Sequence, residues 1–293
     1  MEWPAVRPRD FRILLLDLPH GKSLKIGSPI PIMGIVNVTP DSFSDGGAHS
    51  TTAAAVEHAV SLEAQGAAIL DIGGESTRPG AAPVAADVEL SRVIPVIAAL
   101  RDRVAAPISI DTMKARVAAA AIEAGASIVN DVWGFQHDRE MARVVADTGA
   151  AAVLMHNRTS VDPRLDIIAD MLGFLSRSID IALAAGVGKA RLSIDPGFGF
   201  GKTKEQNLEL VRRLRELTAL GCPILLGVSR KSTFRAVTGK QAPAERMAAS
   251  IAAGVVGVIN GAAILRVHDV DAHVDAMKVL HAIGSAPPVF GES

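Results

Sequence analysis

The sequence predicts an α/β protein, built as a single (β/α)8 TIM barrel with a short N-terminal hairpin-like extension. The first observation is that apolar runs alternate eight times with longer segments of helical spacing. Eight such units fit the usual size of this barrel, about 250 residues. The second observation is that the runs are nearly continuous in Ile, Val and Leu, which is typical of parallel strands covered on both faces. A doubly wound open sheet is the alternative, but it usually has fewer strands.

The elements are expected in the following order. Residues 1–29 precede the repeat, and within them 11–16 and 23–26 flank His20-Gly21-Lys22. We expect a hairpin there that closes the N-terminal end of the barrel. The barrel, residues 30–284, has strands expected at 30–38, 67–73, 107–111, 127–131, 151–156, 191–195, 223–228 and 262–267. Residues 285–293 are expected to form a flexible tail.

The segments between the strands carry helix signals. Leu210, Leu214 and Leu217 follow the i, i+4, i+7 spacing of one helix face. Glycines stand just after five such segments, where a left-handed residue ends a helix at little cost. These glycines are Gly66, Gly125, Gly149, Gly186 and Gly221.

Composition excludes several classes of protein. The hydrophobic fraction is 49% and the mean hydropathy is +0.30, which excludes a disordered or highly charged chain. The net charge is −1, so no global field favours nucleic acid or an anionic membrane. A single cysteine, Cys222, excludes an intrachain disulfide and multi-cysteine metal sites. The first residues fit neither a secretory signal nor a spanning helix, so we expect a cytoplasmic protein with small-molecule substrates.

Polar side chains stand at the end of every predicted strand. In this barrel the carboxyl ends of the strands meet at one face, where active sites lie. The sequence therefore predicts a site there that draws on all eight strands. In chain order its candidates are Asn37, Glu75, Thr77, Arg78, Asp111, Asn130, Asp131, Met155, His156, Asp195, Ser229, Arg230, Lys231, Ser232, Arg266, His268 and Asp269.

One half of this set is suited to a phosphate. Arg266 and His268 are two residues apart on one strand, so their side chains point the same way. Closure of the barrel brings them beside Asn37 on the first strand. Arginine binds phosphate oxygens in pairs, and an Asn carbonyl oxygen suits Mg²⁺. A surface ion pair of Arg266 with Asp269 is the simpler interpretation, but convergence with Asn37 favours the phosphate clamp.

The other half is rich in carboxylates and amides. Asp111, Asn130 and Asp195 could accept the two parallel donors of a planar heterocycle, an amino group beside a ring N–H. Lys231 could donate to the ring and attract a second, anionic substrate. Taken alone, either aspartate could equally be a structural cap of the following helix.

Two motif matches fail on one stretch, GFGFGKT at residues 197–203. A P-loop would need glycine where Pro196 stands. The GxGxxG fingerprint would need its third glycine at Lys202. No HExxH is present, so a transition-metal site is not expected.

At these residues the chain closely resembles the dihydropteroate synthase family, folate-pathway enzymes that are the targets of sulfonamides. The matching segments occur in family order between residue 31 and about residue 282. They are GIVNVTPDSFSDGG, DIGGESTRPGA, SIDT, VNDV, DPGFGFGKT, GVSRKS and LRVHDV. GGESTRPG and DPGFGFGKT are specific, whereas SIDT or VNDV alone means little.

The resemblance implies that the protein condenses 4-aminobenzoate with the diphosphate of a hydroxymethyl-dihydropterin in an SN1-like displacement. It further implies Mg²⁺ as cofactor and a homodimer. Asp45, Arg78 and Lys231 would be catalytic, and Phe43, Asp45 and Pro79 would belong to loops that close over the site. Asn37 would bind the metal. The substrate-binding residues would be Thr77, Asp111, Asn130, Met155, Asp195, Phe200, Gly227, Lys231, Ser232, Arg266 and His268.

One segment departs from the family pattern. After Met155-His156 the family commonly continues with Met and small residues, whereas this chain has Asn157-Arg158-Thr159.

Two other functions share parts of the sequence pattern. A methyltetrahydrofolate-dependent methyltransferase has the same ring patch but no diphosphate to bind, so the SRKS and RVHD segments argue against it. A catalytically silent pterin-binding paralogue would not need the complete set of site residues.

Overall fold

Eight parallel strands close into a barrel in the computed structural model, which describes residues 14–38, 48–75 and 83–285. Neighbouring strands follow each other along the chain, and the last strand pairs with the first. The strands are β3 (Ile32–Asn37), β4 (Ile69–Gly73), β5 (Ile108–Asp111), β6 (Ile128–Asp131), β7 (Ala151–Met155), β8 (Leu192–Asp195), β9 (Ile224–Leu226) and β10 (Ala262–Val267). Each lies within its predicted range, so the (β/α)8 prediction is confirmed.

Helices surround the barrel. They are α1 (Ala48–Ala64), α2 (Ala86–Leu100), α3 (Ala115–Ala124), α4 (Met141–Thr148), α5 (Ile167–Ala184), α6 (Lys204–Arg212), α7 (Ser232–Thr238), α8 (Met247–Ile259) and α9 (Val270–Ser285). Short 3-10 helices lie at Pro19–Gly21, Lys189–Arg191, Leu214–Leu220 and Pro243–Arg246. All five glycines expected after helices have positive φ angles, as predicted.

The helix expected around Leu210, Leu214 and Leu217 is divided in two. Helix α6 ends at Arg212, and a 3-10 helix follows over Leu214–Leu220. Tightening into 3-10 geometry is common at the C-terminal end of a helix. The three leucines are fully buried all the same. The spacing therefore predicted the buried face correctly, although one α-helix does not carry it.

The predicted hairpin closes the N-terminal end of the barrel. Strands β1 (Leu14–Asp17) and β2 (Ser23–Ile26) pair antiparallel. Their buried residues form one apolar cluster with side chains from inside the barrel. That cluster comprises Leu16, Leu18, Leu24, Ile26, Met33, Ile69, Ile128, Ala151, Val153, Leu225, Ala263 and Ile264. This end of the barrel is therefore sealed by apolar packing.

Alternation along each strand separates two environments. On β4, Leu70 and Ile72 pack in the large core between strands and helices. Ile69 packs in the hairpin cluster, so Asp71, two residues further along, faces the barrel interior nearer the carboxyl end. The interior thus changes from apolar at the hairpin end to polar at the carboxyl end of the strands, where the site was predicted.

No single helix within residues 14–38, 48–75 and 83–285 is long and apolar enough to cross a membrane. The pair Ser232–Thr238 and Pro243–Ile259 reaches the required length and composition only when taken together, across a 73° bend. Helix α9 extends to Ser285, and residues 286–293 lie outside the described part of the chain.

The hairpin's contribution to stability can be tested with two leucines that are neighbours in β1. Leu16 is 7% exposed in the apolar cluster, whereas Leu15 is 66% exposed. We expect Leu16→Ala to lower the free energy of unfolding by about 2–4 kcal/mol, because it removes buried apolar volume. Leu15→Ala should change it by less than about 0.5 kcal/mol. Urea denaturation measures both, and equal effects would contradict the assigned packing.

Candidate active site

A row of polar residues crosses four neighbouring strands at their carboxyl ends. In the strand register Asn37 pairs with Gly73, Gly73 with Asp111, and Asp111 with Asn130. Gly73 has no side chain to separate its neighbours. A methyl group placed on it would lie 3.5 Å from Asp111 Cβ and 3.9 Å from Asn37 Oδ1. The structure therefore brings the proposed metal ligand and a proposed ring acceptor to the same level of the barrel.

Arg266 extends from β10 into this acidic row. Its Nε donates to Asp71 Oδ2 at 2.6 Å and its Nη2 donates to Asp111 Oδ2 at 2.7 Å. Asp71 Oδ2 also accepts from Asn130 Nδ2 at 3.0 Å. We call Asp71, Asp111, Asn130 and Arg266 the interior charge network. Asp269, the partner that the simpler interpretation gave to Arg266, pairs instead with Arg230.

Burial governs the charges of this network. It raises the pKa of Asp111 to about 7, although the nearby Arg266 charge opposes this shift. Burial alone would lower the pKa of Arg266, but Asp71 and Asp111 raise it above its ordinary value, so the guanidinium stays charged. Asp111 Oδ1 is buried without a hydrogen-bond partner among the described residues. Such an atom is costly unless a donor reaches it, which marks Asp111 as an acceptor for a ligand.

Asp71 was missed by the sequence analysis, because it lies inside β4 and not at its end. The available signal was a carboxylate in the middle of the apolar run ILDIG, at a position that is fully buried. A buried carboxylate needs a cation or several donors nearby. Here the donors come from Asn130 and Arg266, 59 and 195 residues further along the chain.

Asp195 lies at the end of β8 beside Met155, with which it pairs in register. Its Oδ1 accepts from the backbone N–H of Gly197 at 2.7 Å. Burial raises the pKa of Asp195, against the opposing effects of that hydrogen bond and of the Lys231 charge. A methyl group on Gly227 would lie 3.7 Å from Asp195 Oδ2 and 3.9 Å from Arg266 Cβ. Glycine at this position keeps open the space between the two side chains.

Lys231 and Ser232 begin the segment that leads into α7. Ser232 is the first residue of the helix and Lys231 immediately precedes it. The Lys231 ammonium lies 4.4 Å from the centre of the Phe200 ring, a cation–π distance. Lys231 also lowers the pKa of Asp195 through its charge. The structure thus joins two residues predicted on the aminobenzoate side with one predicted on the ring side.

The residue before Lys231 has a strained backbone. Arg230 has a φ of +57°, which is uncommon for a residue other than glycine. Its N–H donates to Ser250 Oγ at 2.8 Å, and its carbonyl accepts from Arg246 Nη1 at 3.1 Å. Its guanidinium donates to Asp269 Oδ2 at 3.0 Å. Strain of this kind persists only where surrounding contacts hold it, and it clusters at functional sites.

His268 is attached to the same segment. Its backbone N–H donates to Ser229 Oγ at 3.1 Å, and its ring Nδ1 lies 3.0 Å from that oxygen. Burial lowers the pKa of His268 to about 3, and the charges of Arg230 and Arg266 act in the same direction. His268 is therefore neutral at pH 7. It can donate a hydrogen bond to an anion but brings no positive charge to it.

The predicted division into an anion half and a ring half is not a division in space. Arg266, assigned to the anion half, is bonded to Asp111, which was assigned to the ring half. The positive charge of Arg266, which was expected to bind phosphate, is thus also bonded to the carboxylates of Asp71 and Asp111. Any diphosphate held by Arg266 would lie close to the ring acceptors.

Five predicted site residues lie outside the described ranges: Phe43, Asp45, Thr77, Arg78 and Pro79. Described residues on either side of Thr77, Arg78 and Pro79 make hydrogen bonds and an ion pair. Glu75 accepts from the backbone N–H of Val84 at 2.9 Å and pairs with Lys114. Lys114 also donates to Glu89 at 2.6 Å. These contacts join Glu75 and Val84, which lie in the described ranges on either side of residues 76–82.

Among the described residues no three His, Cys, Asp or Glu side chains are grouped so that they could hold a metal ion. Asn37 would bring one side-chain oxygen to such an ion. Mg²⁺ commonly keeps several waters and binds substrate phosphates with only one or two protein ligands. The oxygen of Asn37 therefore fits an ion brought in with a phosphate-bearing substrate.

Comparison with known proteins places the chain in a family. Residues 33–268 match the family described as pterin binding enzyme. The chain belongs to this family. It is 45% identical to the dihydropteroate synthase of Clostridium beijerinckii over 263 residues, which is 89% of this chain and 97% of the relative. It is 46% identical to the Bacillus subtilis dihydropteroate synthase over 252 residues, 86% of this chain and 88% of the relative.

Solved structures of this pterin binding enzyme family share the fold over nearly the whole chain. A Xanthomonas albilineans dihydropteroate synthase with 4-aminobenzoic acid has a TM-score of 0.90 and 46% identity, covering 94% of this chain and 100% of its own. The same organism's enzyme in complex with 7,8-dihydropteroate has a TM-score of 0.86 and 44% identity, with 93% and 100% covered. The Yersinia pestis enzyme in a sulfonamide drug complex has a TM-score of 0.85 and 40% identity, with 94% and 100% covered.

The interior charge network can be tested through stability. Asp71→Asn removes the charge that faces Arg266 while preserving the shape of the side chain. We expect a loss of about 1–3 kcal/mol in the free energy of unfolding, because Arg266 and Asn130 lose a charged acceptor while Arg266 keeps Asp111 as its partner. Asp87→Asn is the matched control, because Asp87 pairs with Arg116 at the surface, where the side chains are 79% and 67% exposed. Its loss should stay below about 1 kcal/mol in the same urea titration. Similar losses for both variants would contradict the network.

Proposed function

We propose that this chain is a dihydropteroate synthase, a transferase of the folate pathway. Its reaction joins the amine nitrogen of 4-aminobenzoate to the methylene carbon of 6-hydroxymethyl-7,8-dihydropterin diphosphate. The bond between that carbon and the diphosphate oxygen breaks, pyrophosphate leaves, and the amine loses a proton. The products are 7,8-dihydropteroate and pyrophosphate.

The observation that carries this proposal is the pair of buried acceptors at the barrel mouth. Asp111 and Asp195 are both buried at the carboxyl ends of their strands, and Asp111 Oδ1 has no partner in the described part of the chain. A dihydropterin ring carries an amino group beside a ring N–H, so it offers the donors that a carboxylate accepts in parallel. Full-length similarity to dihydropteroate synthases supports the same assignment.

The ring is expected to bind across the row of strand ends. Asp195 and Asp111 would accept from its donors, and Asn130 would orient it. One N–H of Asn130 Nδ2 already donates to Asp71, so its Oδ1, as an acceptor, and its second N–H, as a donor, are left for a ligand. Met155 and Gly227 would leave a flat, partly apolar slot beside Asp195.

Departure of pyrophosphate needs positive charge where negative charge develops. Arg266 would supply a permanent charge, and neutral His268 would donate a hydrogen bond. We propose Mg²⁺ as the cofactor, held by Asn37 together with diphosphate oxygens and water. When bound, it stabilises negative charge on the leaving group. No side chain needs to act as a nucleophile, because in the proposed SN1-like displacement the amine attacks the methylene carbon after pyrophosphate has left.

The second substrate is expected on the side of Lys231 and Ser232. The Lys231 ammonium and the Ser232 hydroxyl would bind the carboxylate of 4-aminobenzoate, while the Phe200 ring lines its aromatic portion. The roles of Asp45 and Arg78 in catalysis, of Thr77 in binding, and of Phe43 and Pro79 in loop closure remain proposals from the family pattern.

We also propose a homodimer and a cytoplasmic location. The dimer is supported by an apolar groove of about 660 Å³ between α6, α7 and α8, lined by side chains such as Phe234, Ala253 and Val256. Leu208 and Val237 at this groove are 42% and 58% exposed. A contiguous apolar face of this kind is typical of a surface that pairs with another chain.

The activity is tested by pyrophosphate release and dihydropteroate formation from the two substrates, with and without Mg²⁺. We expect both products only when Mg²⁺ and both substrates are present. Binding of the pterin diphosphate without turnover would favour the silent paralogue.

Asp195→Asn should weaken binding of the bare pterin about 10–100-fold, because it replaces a charged acceptor of ring donors. Asp180→Asn, at an exposed position on α5, is the control and should bind normally.

The dimer is tested by the molar mass in solution. Val237→Glu places a charge on the apolar groove and should convert dimer to monomer at concentrations where the wild type is dimeric. Val279→Glu is the matched control, since Val279 is 59% exposed on α9, outside the groove. Light scattering after size-exclusion chromatography distinguishes the two. A monomeric wild type, or dissociation by both variants alike, would overturn the proposed interface.

A further inference from the structure

The buried lysine of the GFGFGKT segment has no part in the mechanism above. Lys202 is only 7% exposed, and it lies in the turn between β8 and α6. Burial lowers the pKa of Lys202 to about 7, against the charges of Asp195 and Asp170, and acceptors for its N–H donors favour the charged form. Here Nζ lies 2.8 Å from His156 Nδ1, 2.8 Å from the Gly197 carbonyl and 3.1 Å from the Phe200 carbonyl. Each of the three donors thus has an acceptor.

The imidazole partner extends these contacts toward the surface. Since Nδ1 accepts from the ammonium, Nε2 carries the ring proton and donates to Asp170 Oδ2 at 3.0 Å. Asp170 Oδ2 also accepts from Arg158 Nη1 at 2.7 Å. Burial lowers the pKa of His156 to about 3, and the Lys202 charge acts in the same direction. The imidazole is therefore neutral and has one fixed tautomer.

Two glycines allow the loops around Lys202 to touch through their backbones. Gly197 has a φ of +66°, and a methyl group there would lie 1.9 Å from the His156 carbonyl oxygen. Gly201 has a φ of +57°, and a methyl group there would lie 2.4 Å from Arg158 Cβ. The loop after β7, which departs from the family pattern at Asn157-Arg158-Thr159, is thus packed directly on the turn after β8. Lys202 joins the two from inside.

Lys202 binds the carbonyls of Gly197 and Phe200, at the two ends of the four-residue turn that carries the Phe200 side chain. Gly199 N–H is held from the other side by Asn207 Oδ1 at 2.6 Å. The Phe200 ring then faces the Lys231 ammonium at 4.4 Å. The backbone of Asp195, in contrast, is held by the β-ladder itself, where its carbonyl accepts from the His156 N–H at 2.9 Å, and the turn reaches the Asp195 side chain only through the Gly197 N–H. Loss of the Lys202 contacts should therefore displace Phe200 more than Asp195.

We propose that Lys202 is a positioning residue for the second substrate: its ammonium shapes the 197–200 turn and so sets Phe200 against Lys231 where 4-aminobenzoate binds. This rests on the proposed function. Lys202 touches neither substrate; it acts through the turn. The effect should fall on the aminobenzoate side of the site and largely spare recognition of the pterin ring.

The test is Lys202→Met, which keeps most of the side-chain volume and removes the ammonium. We expect the KM for 4-aminobenzoate to rise about tenfold or more, while the dissociation constant of 6-hydroxymethylpterin, measured by calorimetry, changes by less than about threefold. Lys204→Met is the matched control, because Lys204 is two residues away with a side chain that is 45% exposed. It should leave both quantities within about twofold of the wild type.

Lys202→Gln covers the case in which the methionine variant does not fold, since an amide can still donate to two of the three acceptors. It should raise the KM by less than Lys202→Met and by more than the control. An unchanged KM in either folded variant, or equal loss of affinity for both ligands, overturns the role of Lys202. Failure of the wild-type protein to make dihydropteroate overturns the proposed function, and this proposal with it.

Discussion

The constraint on which the site depends is that one buried guanidinium is shared by two buried carboxylates. Arg266 bonds Asp71 and Asp111, and Asp71 also holds the amide of Asn130. Separating these charges inside the barrel would leave unpaired ions in a medium of low dielectric constant. The arrangement is therefore costly to separate, and it leaves Asp111 Oδ1 without a partner among the described residues. In the proposed reaction, ring recognition and leaving-group stabilisation would therefore share one cation.

The other end of the barrel makes this polar interior possible. The hairpin seals the N-terminal end with leucine and isoleucine side chains, so the charges of the interior open only toward the carboxyl ends of the strands. The loops there are joined in pairs. Ser229 binds His268 and Arg230 binds Asp269, while Lys202 joins the loops after β7 and β8. The substrate-facing residues therefore rest on contacts between neighbouring loops as well as on the strands.

Most of the architecture could be predicted from the sequence, because parallel strands buried on both faces appear in it as nearly continuous runs of apolar residues. All eight barrel strands and the closing hairpin lie where the pattern placed them. The register row from Asn37 to Asn130 follows from the same strand ends. Partners distant in the chain could not be predicted. Nothing local connects Arg266 with Asp71, 195 residues away. The GFGFGKT segment likewise does not indicate that its lysine, Lys202, is buried beside His156.

The most direct test of the shared-cation account is pterin-ring affinity in Asp71→Asn, measured by calorimetry with 6-hydroxymethylpterin under conditions where the variant is folded. Asp71 is not among the residues proposed to contact the ring, so any effect must pass through its neighbours Asn130, Arg266 and Asp111. The account predicts a loss of about tenfold or more, because Asn130 is no longer held with its oxygen toward the ligand. Affinity equal to that of the wild type in a folded Asp71→Asn variant would contradict it.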